Sequence, residues 1–107
     1  MEPDRLDALE TIVKADPTDL FARLLLGNEF LSRGRTAEAL PHLTAYCDGF
    51  EGDKGAACLS LAKARLDLGD AKGARAALKT GIESARAYRH LQLEAALEAE
   101  VVRIGSS

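Results

Sequence analysis

The chain has 107 residues, a formal net charge of −3 and 47% hydrophobic residues, so it can bury one core, roughly two-thirds of its unfolded surface. Tryptophan is absent and aromatic residues make up 5%, which argues against nucleic-acid binding because that needs a basic patch or stacking platforms. No stretch approaches the ~20 apolar residues of a membrane span. The acidic start Met1–Asp4 lacks an apolar signal core, so we expect a cytoplasmic protein without membrane contact.

Helix-forming residues dominate the composition, and β-branched residues are few, which favours a single all-helical domain. The first predicted helix covers residues 3–15. Its apolar face is predicted to contain four residues at helical spacing: Leu6, Leu9, Ile12 and Val13. The helix is expected to end before Pro17, because the residue that precedes a proline is pushed out of the helical conformation.

Residues 19–47 are predicted to form two helices, at 19–33 and 36–47, joined by a tight turn. Apolar and small residues recur at helical spacing in the first of them: Leu20, Leu24, Leu26, Gly27, Phe30 and Leu31. Asp16 or Thr18–Asp19 is predicted to cap this helix, and Gly34 is predicted to end it in the left-handed conformation. Thr36 is predicted to cap the second helix, whose start Pro41 should delay or distort.

A second helical pair is predicted after a connector at residues 48–53, where Phe50 is expected to pack back onto the helices. This pair covers residues 54–68 and 71 to about 86, with a turn at Gly69 and a cap at Asp70. Gly73 and Gly81 lie inside its second helix, where each costs ~1 kcal/mol relative to alanine. Close packing against a neighbouring helix would explain that cost.

The last predicted helix, Leu91–Ile104, follows a weak break at residues 87–90. Its inner face is predicted to contain Leu93, Leu97, Val101 and Ile104. Residues 105–107 are expected to fray.

The chain also contains an internal repeat at an offset of 35 residues. Residues 33–39 (RGRTAEA) match residues 68–74 (LGDAKGA), and the pairs Leu26/Leu61 and Leu43/Leu78 keep the same offset. A helical hairpin repeated at this period is the unit of a solenoid.

These residues resemble the tetratricopeptide repeat. Leu26-Gly27 followed by Phe30 is similar to that family's Leu-Gly-x-x-Tyr core, and Gly34, Ala39 and Leu43 match its turn glycine and its small and large residues on the second helix. The second copy departs from the pattern, with Cys58 and Arg65 at the family's tryptophan and tyrosine positions. The alternative is an ordinary helical bundle with coincident glycines.

The resemblance implies an all-α superhelix of antiparallel helical hairpins, with about six helices and no strands. Residues 1–107 would form one domain: a half-unit helix at 3–15, repeats at 20–53 and 55–88, and a capping helix at 90–104. The two outer helices would cover the apolar ends of a short array.

The resemblance also implies that the first helix of each pair lines a concave binding surface. Carried over by position, that surface would contain Phe21, Leu24, Asn28 and Ser32 (with Leu31 as an alternative to Ser32) from one repeat, and Leu59, Ser60, Lys63 and Asp67 from the next. Such a mixed surface would suit a peptide or a helix of another protein. Two alternatives stay open: the leucines could serve only as core, and the ends of the array could pair in a homodimer.

The sequence gives no reason to expect catalysis, a cofactor or a metal. His42 has Thr44 and Asp48 nearby, but residues two apart lie on different faces of a helix, so no local triad forms. Glu94 and Glu98 are expected on a solvated face, and His90 is expected to begin or cap the last helix. Cys47, Cys58 and the two histidines lack the spacing of a zinc site. The two cysteines are expected to be reduced, although a disulfide stays possible.

Overall fold

A computed structural model describes residues 4–105, and the regular secondary structure of that range consists of helices only. The six helices, in chain order, are α1 (Arg5–Ala15), α2 (Leu20–Ser32), α3 (Thr36–Gly49), α4 (Gly55–Asp67), α5 (Ala71–Ala87) and α6 (Leu91–Gly105). The predicted all-α class, with six helices and no strands, is therefore confirmed for the described range. The chain divides into two compact units, Met1–Phe50 and Glu51–Ser107. Position 3 of the first predicted helix, and positions 106 and 107, lie outside the described residues.

The first unit begins with α1. Asp4 caps the N-terminus of this helix by accepting a hydrogen bond from the amide of Leu6 at 3.2 Å. Leu6, Leu9 and Val13 are buried, and α1 packs against α2. Ile12 is 47% exposed, so its assignment to the apolar face is wrong. A narrow stripe at spacings of three and four residues is enough to cover one neighbouring helix.

Helices α2 and α3 form a hairpin around a close backbone approach. Asp19 caps α2 by accepting from the amide of Ala22 at 3.0 Å, which decides between the predicted caps. A β-carbon at Gly27 would lie 2.9 Å from Cγ and Cδ2 of Leu43. Only glycine therefore lets the fully buried Leu43 side chain lie against α2 at this point.

The start and end of α3 differ from the prediction. Thr36 is its first residue and Arg35 holds the cap position without a side-chain hydrogen bond, so Thr36 is not the cap. The helix starts at Thr36 and continues through Pro41, so the predicted delayed start is not observed. The helix extends to Gly49, and the ring of Phe50 stacks on that of Tyr46 with centroids 4.7 Å apart, as its predicted return to the helices requires.

In the second unit, α5 packs against both α4 and α6. Asp70 caps α5 as predicted, accepting from the amide of Gly73 at 2.8 Å. A β-carbon at Gly81 would lie 2.9 Å from Cβ of Cys58 and 3.1 Å from Cδ2 of Leu97, so the predicted close packing there is confirmed.

Gly73 has a different role from Gly81. A β-carbon on Gly73 would collide with the carboxylate of Asp70 in the same helical turn. This glycine therefore leaves room for the helix cap, and the atoms nearest to such a β-carbon belong to Asp70, not to a neighbouring helix. The contact of Gly73 with α4 is made by its carbonyl oxygen, which accepts a hydrogen bond from the Arg65 guanidinium at 3.1 Å.

Three of the turns share one geometry, a three-residue connection whose middle residue has a positive φ. These residues are Gly34 (φ 73°), Gly69 (φ 85°) and Arg89 (φ 57°). Each turn contains a backbone hydrogen bond between residues five apart: Arg35 N to Phe30 O at 2.9 Å, Asp70 N to Arg65 O at 2.8 Å, and His90 N to Ala85 O at 2.8 Å. The predicted weak break at 87–90 is therefore a tight helix–helix turn, in which an arginine stands where the other two have glycine.

The two hairpins bury corresponding positions 35 residues apart. The pairs Leu26/Leu61, Gly27/Ala62, Ala39/Ala74, Leu43/Leu78 and Tyr46/Gly81 are all buried. Gly105 is the last residue of α6, so the fraying predicted there is not observed. In the part of the chain that the structure describes, no helix combines the length and the apolar character needed to cross a bilayer.

Candidate functional site

The four predicted binding residues of the first repeat lie on α2, in the first unit. Phe21 is 66% exposed, Leu24 is half-buried, and Asn28 and Ser32 are exposed. Spacings of three and four residues place them on one side of the helix. We call this side the α2 strip; it has a phenyl ring at one end and polar groups at the other.

The four predicted residues of the second repeat lie on α4, in the second unit. Leu59 and Ser60 are half-buried, and Lys63 and Asp67 are exposed. Leu59, Lys63 and Asp67 are four residues apart and share a face, which we call the α4 strip. It changes from an apolar residue to an ammonium and then a carboxylate along the helix.

The side chains of the two strips offer several kinds of non-covalent contact. Leu24 and Leu59 offer apolar surface, and Asn28, Lys63 and Asp67 offer hydrogen bonds and charge of both signs. The hydroxyl of Ser32 donates to the carbonyl of Glu29 at 2.8 Å, so it turns back onto its own helix.

An ion-pair network that the sequence pattern does not predict lies beside the α2 strip. The Arg33 guanidinium donates to the carboxylates of Asp4, at 2.5 Å, and Glu29, at 3.0 Å, and Arg5 lies 2.9 Å from Glu29. Hydrogen bonds from Arg33 and from the Leu6 amide lower the pKa of Asp4. The network joins the start of α1 to the end of α2 across 29 residues of sequence.

The first unit also contains a cavity of about 590 Å³ whose lining includes Glu10, Lys14, Arg23 and His42. The His42 ring stacks on Phe30 with centroids 5.8 Å apart, and its Nδ1 is buried with no hydrogen-bond partner in the described range. Burial, followed by the nearby charge of Arg23, lowers the pKa of His42, whereas Glu10 acts in the opposite direction. His42 is therefore a neutral imidazole at neutral pH.

The other residues weighed for chemistry have structural partners. Arg86 pairs with both Glu94, at 2.5 Å, and Glu98, at 3.4 Å. His90 Nε2 lies 2.9 Å from Oδ2 of Asp53, immediately before α6 begins. Cys47 and Cys58 are buried thiols, and among residues 4–105 no three histidine, cysteine or acidic side chains are grouped as a metal site.

Comparison with known proteins gives a structural likeness but no family. No protein-family model matches the chain, and no curated protein matches it. The chain is similar to a protein from Bordetella parapertussis with a known solution structure: the two are 26% identical, with a TM-score of 0.75, over 97% of this chain and 90% of that one. This likeness concerns the helical fold.

Proposed function

We propose that this protein is a non-enzymatic interaction module that binds a peptide or a helix of a partner protein through the α2 and α4 strips. In this proposal, the hairpins α2–α3 and α4–α5 are successive tetratricopeptide-like units of a right-handed superhelix. Helix α1 is a preceding half-unit, and α6 is a cap. Buried cysteine thiols suit a reducing compartment such as the cytoplasm.

The observation that carries the proposal is the matching exposure of corresponding positions on α2 and α4. Leu24 and Leu59 are both half-buried, while Asn28 and Lys63, 35 residues apart, are both exposed. Half-buried apolar residues and exposed polar residues thus recur at corresponding helix positions, and both helices change from apolar to polar in the same direction.

Phe21 is the strongest single contributor in this proposal. A phenyl ring that is 66% exposed gains from burial against a partner, and aromatic side chains dominate the energetics of many interfaces. Leu24 and Leu59 would add apolar contact, and Asn28, Lys63 and Asp67 would fix the direction and register of the bound segment. No cofactor, metal or nucleic acid takes part.

A displayed library of random peptides provides the test, because it requires no knowledge of the natural partner. Peptides selected on the wild-type protein should bind Phe21→Ala and Lys63→Glu at least about fivefold more weakly, which is about 1 kcal/mol. Both variants should keep their far-ultraviolet circular dichroism, because both side chains are exposed. Lys14→Glu, an exposed charge reversal on α1, is the matched control and should bind normally.

Unchanged affinity in both variants, with helicity intact, would rule out the two strips as the binding surface. Loss of helicity in both would assign the side chains to the core instead. Either result would overturn the proposal as stated.

Self-association is the second candidate, and it is favoured by the exposed apolar residues of α6. Leu91 and Val102 are each 75% exposed, and exposed apolar side chains at the end of an array can pair with a second copy. Light scattering would then report a dimer that Val102→Asp disperses. A monomer at high protein concentration would exclude this candidate.

A further inference from the structure

Helix α5 carries a row of basic side chains along one face. Lys72, Arg75, Lys79 and Arg86 follow at spacings of three, four and seven residues, and all four are exposed. The whole chain has a net charge of −3, so the charge of this row is opposite in sign to the net charge of the protein. The row lies on a helix that contributes nothing to the α2 or α4 strips.

An apolar groove lies beside this row, between α5 and α6. Its floor contains Ile82 and Val101, both half-buried. The groove has a volume of about 400 Å³, and Arg75, Lys79, Glu83 and Arg86 complete its lining. It therefore combines an apolar floor with a mostly cationic rim.

The charges on the rim are only partly compensated within the protein. Arg86 is held by Glu94 and Glu98. Within residues 4–105, neither Arg75 nor Lys79 has a carboxylate at ion-pair distance. These two cations beside an apolar floor leave a site whose complement is an apolar residue flanked by carboxylates.

We propose that the groove between α5 and α6 binds an acidic amphipathic helix of a partner protein. Arg75 and Lys79 are four residues apart, a rise of about 6 Å, so carboxylates four residues apart on a second helix lying along α5 match their spacing. Apolar residues on the same face of that helix would then cover Ile82 and Val101. The negative charge of Glu83 repels any carboxylate of the bound helix that lies next to it, and this repulsion gives the bound helix a preferred register.

The test uses two synthetic helical peptides of about five turns. One has leucine along one face with glutamate four residues apart beside it, and its control has glutamine at every glutamate position. Binding is followed by titration calorimetry and by amide chemical shifts of the labelled protein. We expect the acidic peptide to bind about tenfold more tightly than the glutamine peptide, to weaken as salt is added, and to shift amides on α5 and α6.

Variants separate this groove from the surface of the proposed function. The double variant Arg75→Glu/Lys79→Glu should lose about tenfold in affinity for the acidic peptide, and Lys63→Glu on α4 should lose none. Both positions of the double variant are exposed, and circular dichroism checks that the helices remain. Peptides selected from the displayed library should instead bind the Lys63→Glu variant more weakly and the double variant normally.

Four results would overturn the inference. The first is equal binding of the glutamine peptide, which would leave an apolar groove with no charge preference. The second is a set of shifts on α2 and α4 instead of α5 and α6. The third is a dimer, detected by light scattering, that occupies the groove. The fourth is displacement of the bound acidic peptide by single-stranded DNA at lower concentration than by more of the same peptide. That result would assign the basic row to phosphate binding.

Discussion

The substitution Arg89→Gly should stabilise the protein, because Arg89 occupies a conformation that suits glycine. Its φ of 57° matches the φ of 73° at Gly34 and of 85° at Gly69 in the two corresponding turns. The left-handed conformation costs an L-residue with a β-carbon about 1–2 kcal/mol. Glycine loses about 0.5–1 kcal/mol more backbone entropy on folding. The difference between the midpoints of these two ranges gives an expected net gain of about 0.75 kcal/mol.

Urea denaturation followed by circular dichroism measures this gain, which corresponds to a rise of about 2–5 °C in Tm for a chain of this length. Arg89→Ala is the matched control: it removes the guanidinium but keeps the β-carbon, so it should gain nothing. The reverse changes Gly34→Ala and Gly69→Ala should each cost about 1 kcal/mol. Apart from the adjacent residues of the chain, no atom lies within 4 Å of an added β-carbon at either glycine, so that cost would be conformational.

The reasoning fails if Arg89→Gly and Arg89→Ala have the same free energy of unfolding. It also fails if Gly34→Ala leaves stability unchanged. In either case the positive φ would not limit the stability of these turns.

Three further predictions follow from packing and from titration. Gly81→Val should destabilise the second unit by about 1–3 kcal/mol in urea denaturation, because a β-carbon at this position lies 2.9 Å from Cβ of Cys58; unchanged stability would contradict the close packing. Arg33 lowers the pKa of Asp4, so this carboxylate stabilises the fold above its unfolded pKa of about 3.9 and the stabilisation is lost as the pH falls through the lowered value. Arg33→Gln should therefore reduce the change in the free energy of unfolding with pH between about pH 4 and about pH 2. An unchanged slope in that range would refute the pairing. The folded pKa of His42 lies below its unfolded value of about 6.5, so stability should fall as the pH drops from that value, and His42→Phe should reduce the fall.

The helices and two of their turns could be predicted because short-range patterns specify them. Asp19 and Asp70 cap the helices that follow them, and Gly34 and Gly69 end the helices before them. Each of these effects involves residues within one turn of helix. The third turn was predicted only as a weak break, because Arg89 does not have the side chain by which such turns are recognised.

The features that sequence reasoning missed depend on residues far apart in the chain. The pairing of Asp4 with Arg33 joins two helices, and the cavity beside His42 has lining residues on more than one helix. Helical periodicity does not specify which residues of two separate helices face each other. The exclusion of Ile12 from the core has the same origin, since α1 packs against one neighbour along a narrow stripe.

For the candidate site, the sequence could predict which residues are exposed, but it could not predict whether a partner binds to them. Asn28 and Lys63 are exposed, as residues on the outer side of a helix should be. Whether a partner contacts them depends on the shape and charge of that partner, and the residue pattern of this chain does not encode those properties. The binding roles of Phe21 and Lys63 therefore stay predictions.

Each compact unit carries one buried cysteine, Cys47 in the first and Cys58 in the second. A thiol-specific reagent can modify such a sulfur only while the surrounding helices are open, so the rate of labelling measures how often each half of the chain opens. Peptide mapping by mass spectrometry resolves the two positions in one experiment. Equal labelling rates across a range of urea concentrations would mean that the halves open as one cooperative body, and different rates would show that one half can melt while the other stays folded.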